Sequence, residues 1–267
     1  MQDRDYVLGT GDAEIARLGL QHGVWREKAM EGWRRAGIAP GMTVLDVGAG
    51  PGFAAVDLAG LVGPEGRVIA LERSGRFVAA LRAEVERLGL ANVEAREQDV
   101  CETALPGAAD AAWCRWVLSF VADPTRAVSR IAAALRPGGV AIFHEYADYG
   151  CWRTMPPDPL VERFRALAMA SWRDAGGEPD IALRLPHFLA DAGLEIVAAR
   201  PLIDIVTPDD FAWRWPAAFM AANAPRLAEL GYVGADEAEA MAQALDHVAP
   251  GTMMVTPLVA EIIARKP

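Results

Sequence analysis

Thr43-Val44-Leu45-Asp46-Val47-Gly48-Ala49-Gly50-Pro51-Gly52 is the stretch whose reading decides the fold of this chain. A short apolar, β-branched run breaks into a glycine-rich turn, with an acid two residues before the first glycine. Glycines at alternate positions let the backbone turn sharply and bring its N–H groups against a ligand that any Cβ would push away. A dinucleotide fingerprint reads G-x-G-x-x-G, its third glycine inside the following helix. This loop reads G-x-G-x-G.

Downstream residues extend the pattern. About twenty residues past the loop, Arg67-Val68-Ile69-Ala70-Leu71-Glu72 is a second apolar strand ending in a carboxylate, where a ribose diol needs a bidentate acceptor. Asn92-Val93-Glu94-Ala95-Arg96 is a third strand-like run, after which Gln98-Asp99-Val100 presents an acid at a strand end. Asp110–Leu118 reads as a fourth strand leading into Phe120-Val121-Ala122-Asp123-Pro124. Asp123-Pro124 opens a helix with an acidic N-cap and a proline at its first position, and Leu135-Arg136-Pro137-Gly138 closes it. Gly139–Glu145 is then a fifth strand.

Order, spacing and chemistry over residues 40–146 resemble the class I S-adenosylmethionine-dependent methyltransferases, in their small-molecule subgroup. The resemblance implies an α/β fold: a doubly wound, mostly parallel seven-stranded sheet of Rossmann-like type with a helical cap. It implies that Gly48, Gly50 and Gly52 admit the methionine part of the cofactor, while Asp46 holds the loop or meets the ammonium. Glu72 accepts from both ribose hydroxyls, and Asp99 with the Val100 backbone fixes the adenine. Arg73 packs over the adenosine or stands solvated; Arg115 orients the cofactor carboxylate or pairs with a nearby acid. Tyr6-Val7-Leu8-Gly9, followed by Glu14, Arg17, Leu18 and Gln21, looks like an N-terminal segment that folds over the cofactor, which makes Tyr6 and Gln21 candidate contacts.

Four regions follow. Residues 1–40 are N-terminal helices, with Gly11–Leu20 and Val24–Ala36 as separate helical stretches. Residues 41–146 are the cofactor-binding core, with helices over Phe53–Val62 and Gly75–Leu88; in the second, Phe77, Leu81, Val85 and Leu88 recur at helical spacing. Residues 147–193 are a helical cap insertion. Residues 194–267 hold strand-like stretches at Leu194–Val206 and Met253–Arg265, which the resemblance makes the end of the sheet, with one antiparallel strand, and a second cap at 207–250. The caps are rich in aromatic residues, Trp152, Trp172, Trp215 and Phe219 among them. Helices placed after strand five and between the last two strands roof the crevice beyond the strand ends, an arrangement suited to a small apolar or aromatic acceptor.

A sulfonium methyl is already an activated electrophile, so transfer needs alignment, exclusion of water and, for some acceptors, removal of a proton. Glu145 is the first candidate base and His144 the second; they alternate sides of a strand, so both cannot face one site. An amine or acidic phenol needs neither. His22, His187 and His247 lie on helix-like or loop segments, where a histidine is ordinarily surface or satisfied core. The chemistry calls for no metal.

The 267 residues are 52% hydrophobic, enough for one large core or a core plus a cap. No apolar run reaches the roughly 18 residues a membrane span needs, and Asp3, Arg4 and Asp5 are not followed by the apolar run of a secretory signal, so the expected location is the cytoplasm. The 3 cysteines, Cys101, Cys114 and Cys151, lack metal-ligand or disulfide-framework spacing. A net charge of −10 opposes binding to nucleic acid. The expected partner is a small molecule, and apolar cap helices make a homodimer plausible. Two other functions fit parts of the pattern: an NAD-dependent oxidoreductase, through the glycine loop and Glu72, and a non-catalytic cofactor-binding scaffold of the same fold.

Overall fold

A computed structural model describes residues 10–267. Helix α1 (Asp12–Arg35) leads to β1 (Thr43–Val47), α2 (Phe53–Val62), β2 (Arg67–Glu72), α3 (Gly75–Leu88), β3 (Val93–Glu97), β4 (Ala109–Arg115), α4 (Pro124–Ala134) and β5 (Leu135–Asp148). Then follow β6 (Arg153–Met155), α5 (Pro159–Asp174), α6 (Leu185–Asp191), β7 (Glu195–Leu202), β8 (Ile205–Val206), α7 (Arg214–Glu229), α8 (Ala235–Gln243), β9 (Met253–Val255) and β10 (Leu258–Arg265). The main sheet has seven strands in the order β3-β2-β1-β4-β5-β10-β7. β10 runs antiparallel to both of its neighbours, and the β1, β2, β3, β4 and β5 pairings are parallel. This is the doubly wound, mostly parallel architecture expected from the sequence.

Successive side chains of a strand point to opposite faces, so each buried strand feeds two cores. Leu45, Val47, Ile69, Leu71, Ala112, Cys114 and Phe143 pack on one side with α4 and α6 residues such as Ile131 and Leu189. Val44, Val68, Ala70, Ala111, Trp113 and Ile142 pack on the other with Trp33 of α1 and Leu58 of α2. Order reverses at β1, whose neighbours β2 and β4 carry the chain to opposite sides, and the crevice opens at the carboxyl ends of these strands.

Two expectations need correction. The stretches Gly11–Leu20 and Val24–Ala36 form one helix, α1, which passes through Gly19, Gly23 and Gly32 without a break. A helical glycine costs about 1 kcal/mol relative to alanine. Here the missing side chains make room for Phe53, Phe211 and Glu261 respectively, which lie against those positions. The region 147–193, expected to be a helical cap, also contributes β6, and the strand-like stretches Leu194–Val206 and Met253–Arg265 do not go wholly into the main sheet: their β8 and β9 pair with β6 in a small antiparallel sheet.

The cap core is a third cluster. Trp152, Phe164, Trp172 and Phe219 meet edge to face at ring-centroid separations of 5.8–6.5 Å. Trp116, Tyr146 and Trp215 lie nearly parallel, with Trp25 edge-on to Trp116 and Trp215. Buried aromatic side chains dominate such energetics because each removes a large apolar area from water.

Candidate functional site

Beyond β1, Gly48 has φ +69 and Gly52 has φ +94, values that side chains with a Cβ rarely adopt. A Cβ on either would fall inside the 3.0 Å that real Cβ atoms keep, against Val117 and Leu81 respectively. The amides of Gly48 and Ala49 donate to the Leu71 carbonyl at 2.8 and 3.0 Å, which fastens the turn to the end of β2. The loop closes the floor of a cavity of about 1040 Å³, counted out to its open mouth.

The cavity brings together residues from most of the chain's first half: Gln21, Asp46, Gly48, Gly50, Glu72, Arg73, Asp99, Val100 and Arg115 all line it. Gly52 instead caps α2 behind the lining. Tyr6 lies outside the described residues. Glu72 accepts from the Gly50 amide through Oε2 at 3.0 Å and from the Ser74 amide through Oε1 at 2.8 Å. Burial raises its pKa, and those two amides partly offset the rise. Asp99 accepts from the Cys101 amide at 2.6 Å. Gln21 accepts from Arg17 and from the Trp215 indole, each at 3.1 Å, and so ties α1 to the cap.

Two opposite charges share the cavity without a direct bond. Asp46 is 2% exposed and its Oδ2 has no hydrogen-bond partner among the described residues. Burial pushes its pKa to about 7, with the Arg115 charge pulling the other way. Arg115 also has an unpartnered buried nitrogen, Nη1, among those residues. Its guanidinium lies over the rings of Trp113 and Trp116, 5.7 and 5.1 Å from their centroids, and burial lowers its pKa to about 10. A buried acid and a buried cation that each keep an unpaired polar atom are costly unless a ligand completes both.

The two candidate bases do not reach this cavity. Glu145 is fully buried and accepts from the Val117 and Leu118 amides, both at 2.9 Å, and from the Ser119 hydroxyl at 3.3 Å. His144 is fully buried on the opposite side of the strand, with Nε2 3.0 Å from Glu261 Oε2. Burial lowers its pKa to about 4, so it is neutral there. His22, which the sequence reads as surface or satisfied core, lines the cavity, and its partner at 3.0 Å is Asp57, which the sequence does not single out. The pair joins α1 to α2 across 35 residues of chain, and the sole local hint was that His22 follows Gln21, itself a candidate contact. The described residues hold no cluster of three or more side chains fit to bind a metal ion, and no helix among them is long and apolar enough to cross a membrane.

Residues 44–139 match the methyltransferase domain family. Among curated proteins, an uncharacterized protein of a Streptomyces fradiae transposon is 29% identical over 85% of this chain and 63% of its own. An arsenite methyltransferase of Halobacterium salinarum is 31% identical over 74% and 46%, and a demethylmenaquinone methyltransferase of Lactococcus lactis is 31% identical over 47% and 49%. The chain thus spans between about half and two thirds of the length of these relatives. A solved structure of a putative methyltransferase from Bacillus halodurans superposes with a TM-score of 0.60 at 18% identity, covering 89% of this chain and 98% of that one. The [4+2]-cyclase SpnF superposes at 0.57 with 22% identity over 90% and 81%. With the glycine loop and the strand order, this match makes residues 44–139 a methyltransferase domain.

Proposed function

We propose that this chain transfers a methyl group from S-adenosylmethionine to O, N or C of a small apolar or aromatic molecule. The observation that carries the reading is that Asp46 and Arg115, each with one buried unpartnered atom among the described residues (Oδ2 and Nη1), line one cavity together with Glu72 and Asp99. A zwitterionic amino-acid end supplies an ammonium for the first and a carboxylate for the second. Glu72 takes the Gly50 amide on one oxygen and the Ser74 amide on the other, and a carboxylate has about four lone-pair sites, so it retains acceptor capacity for the hydroxyls of a ribose. Asp99 and Val100 suit the adenine, with Phe77, Phe120 and Val121 as its apolar walls.

When bound, the sulfonium supplies an activated methyl group. The remaining work falls to residues that hold the acceptor in line and keep water out. Trp116 lies on the cavity wall and stacks on Trp215 and Tyr146 at 5.6 and 5.4 Å, so the boundary between cofactor and cap is aromatic. That boundary supports a flat or apolar acceptor. With Glu145 and His144 engaged elsewhere, the reading favours acceptors that lose their proton readily.

Calorimetric titration with S-adenosylmethionine and S-adenosylhomocysteine, with NAD as control, tests the proposal. One-site binding of the first two and none of NAD is expected, followed by transfer to a member of an apolar acceptor panel. Binding of NAD alone overturns the reading, and tight cofactor binding with no transfer across the panel favours a non-catalytic cofactor-binding scaffold.

A further inference from the structure

The orientation of Arg115 has a cause outside the glycine loop. Its Nη2 donates to His22 Nδ1 at 3.0 Å, which requires a lone pair on that nitrogen and places the ring proton on Nε2. Nε2 then donates to Asp57 Oδ2 at 3.0 Å. Arg26 grips the same carboxylate with two nitrogens, at 2.7 and 2.8 Å. Burial opposes ionisation of Asp57, but the His22 and Arg26 bonds prevail and hold its pKa at about 2. His22 is lowered by burial, with Asp57 opposing and the Arg115 charge adding to the fall. The result is a fixed sequence of an ionised acid on α2, a neutral imidazole on α1 and a cation at the end of β4.

These contacts leave Nη1 of Arg115 buried without a partner among the described residues, on a guanidinium that lies over Trp113 and Trp116. Arg115 and Asp46 feel each other's charge yet share no hydrogen bond, and each keeps an orphaned atom. Released from His22, the guanidinium would be free to turn onto Asp46, and both recognition groups would be consumed by one another.

We propose that His22 and Asp57 are a positioning pair, which holds Arg115 away from Asp46 and aims it at the carboxylate of a bound amino-acid moiety. The proposal rests on the cofactor reading above and extends it to residues on α1 and α2. Neither residue touches the reacting atoms; both act through Arg115.

The test compares two ligands on the full chain by calorimetry: S-adenosylhomocysteine, which carries the amino-acid end, and 5′-methylthioadenosine, which lacks it. His22→Phe keeps a ring against Phe53, whose centroid lies 6.0 Å away, and removes the acceptor. Loss of one charge-assisted bond should raise the Kd for S-adenosylhomocysteine about tenfold while changing that for methylthioadenosine less than about twofold. His22→Asn, whose amide oxygen occupies the place of Nδ1, should recover most of the loss. Asp57→Asn, a near-isosteric change that leaves the fold least disturbed, should show the same selective weakening. Equal weakening of both ligands means a structural role and overturns the proposal, as does no change in any variant. A wild-type chain that does not bind S-adenosylhomocysteine overturns the cofactor reading and this pair with it; wild-type binding without ligand-selective loss overturns the pair alone.

Discussion

Gly32 of α1 lies directly on the carboxylate of Glu261 in β10: a Cβ at position 32 would fall inside the 3.0 Å limit to Glu261 Oε2. Such a clash is cheap when the neighbouring side chain can swing away. Glu261 cannot, because it is 1% exposed and held by His144 at 3.0 Å, Arg35 at 2.7 Å and Arg200 at 2.8 Å. Gly32→Ala gains about 1 kcal/mol of helix propensity and loses about 1–3 kcal/mol to overpacking and to disruption of a buried ion pair. A net loss of stability is expected in thermal or urea unfolding. Unchanged or raised stability would show that Glu261 is free to move.

Glu145 is expected to be a structural acid. Its Oε1 accepts the amides of Val117 and Leu118, the residues that carry the chain from β4 past the cavity. Burial pushes its pKa to about 7, against the pull of the Leu118 and Val117 amides. Glu145→Ala leaves two buried amides unpaired at about 1–3 kcal/mol each and should lower the unfolding midpoint clearly. Glu145→Gln keeps an acceptor oxygen, so the pH profile of methyl transfer should retain its shape. A folded Gln variant that has lost turnover and its basic limb would place Glu145 in proton transfer after all.

What the sequence made legible was local. Thr43 to Gly52, the strands at Arg67–Glu72 and Asn92–Arg96, and the helices at Phe53–Val62 and Gly75–Leu88 each carry their periodicity or turn chemistry within a few residues, and the structure forms them nearly as read. The sequence reads α1 as two pieces, Gly11–Leu20 and Val24–Ala36, whereas the structure carries the helix through Gly23 between them. The groups that make Gly19, Gly23 and Gly32 useful, Phe53, Phe211 and Glu261, lie far along the chain. The directions of His144 and Glu145 were equally hidden. Alternation says that they face opposite sides, but which partners fill those sides depends on β10 and on the turn after β4. The link from Asp57 through His22 to Arg115 spans 35 and 93 residues, beyond any local pattern.

Ligand affinity should depend on pH through Asp46. Its pKa stands raised from 3.8 to about 7, so below neutrality the carboxyl is largely protonated and cannot attract an ammonium. Affinity for S-adenosylhomocysteine should therefore rise with pH up to about 7, by at most about tenfold per unit, and then level off. For the free protein the sign is reversed: the folded state holds the proton more tightly than the unfolded chain, so this group's contribution to stability falls between pH 3.8 and about 7. Asp46→Asn should flatten both dependences. Titrations at about pH 5.5, 6.5 and 7.5 check the first, and a slope that persists in the Asn variant would assign it to another group.

Glu72 gives the sharpest test of where the ribose sits. The Gly50 and Ser74 amides hold its two oxygens at 3.0 and 2.8 Å and thereby fix the plane of the carboxylate at the end of β2. On the proposed reading, the remaining acceptor capacity takes the ribose diol. Removing the side chain in Glu72→Ala deletes two charge-assisted hydrogen bonds, each worth about 1.5–3 kcal/mol, so cofactor affinity should fall by at least about tenfold. The same change frees two backbone amides at the rim of an open cavity, where water can satisfy them, so the fold should survive. Glu72→Gln separates the two effects: it keeps one acceptor and should lose affinity by an intermediate amount. Calorimetry with S-adenosylhomocysteine reads both variants, and unchanged affinity in the Ala variant would mean that the ribose lies elsewhere in the cavity.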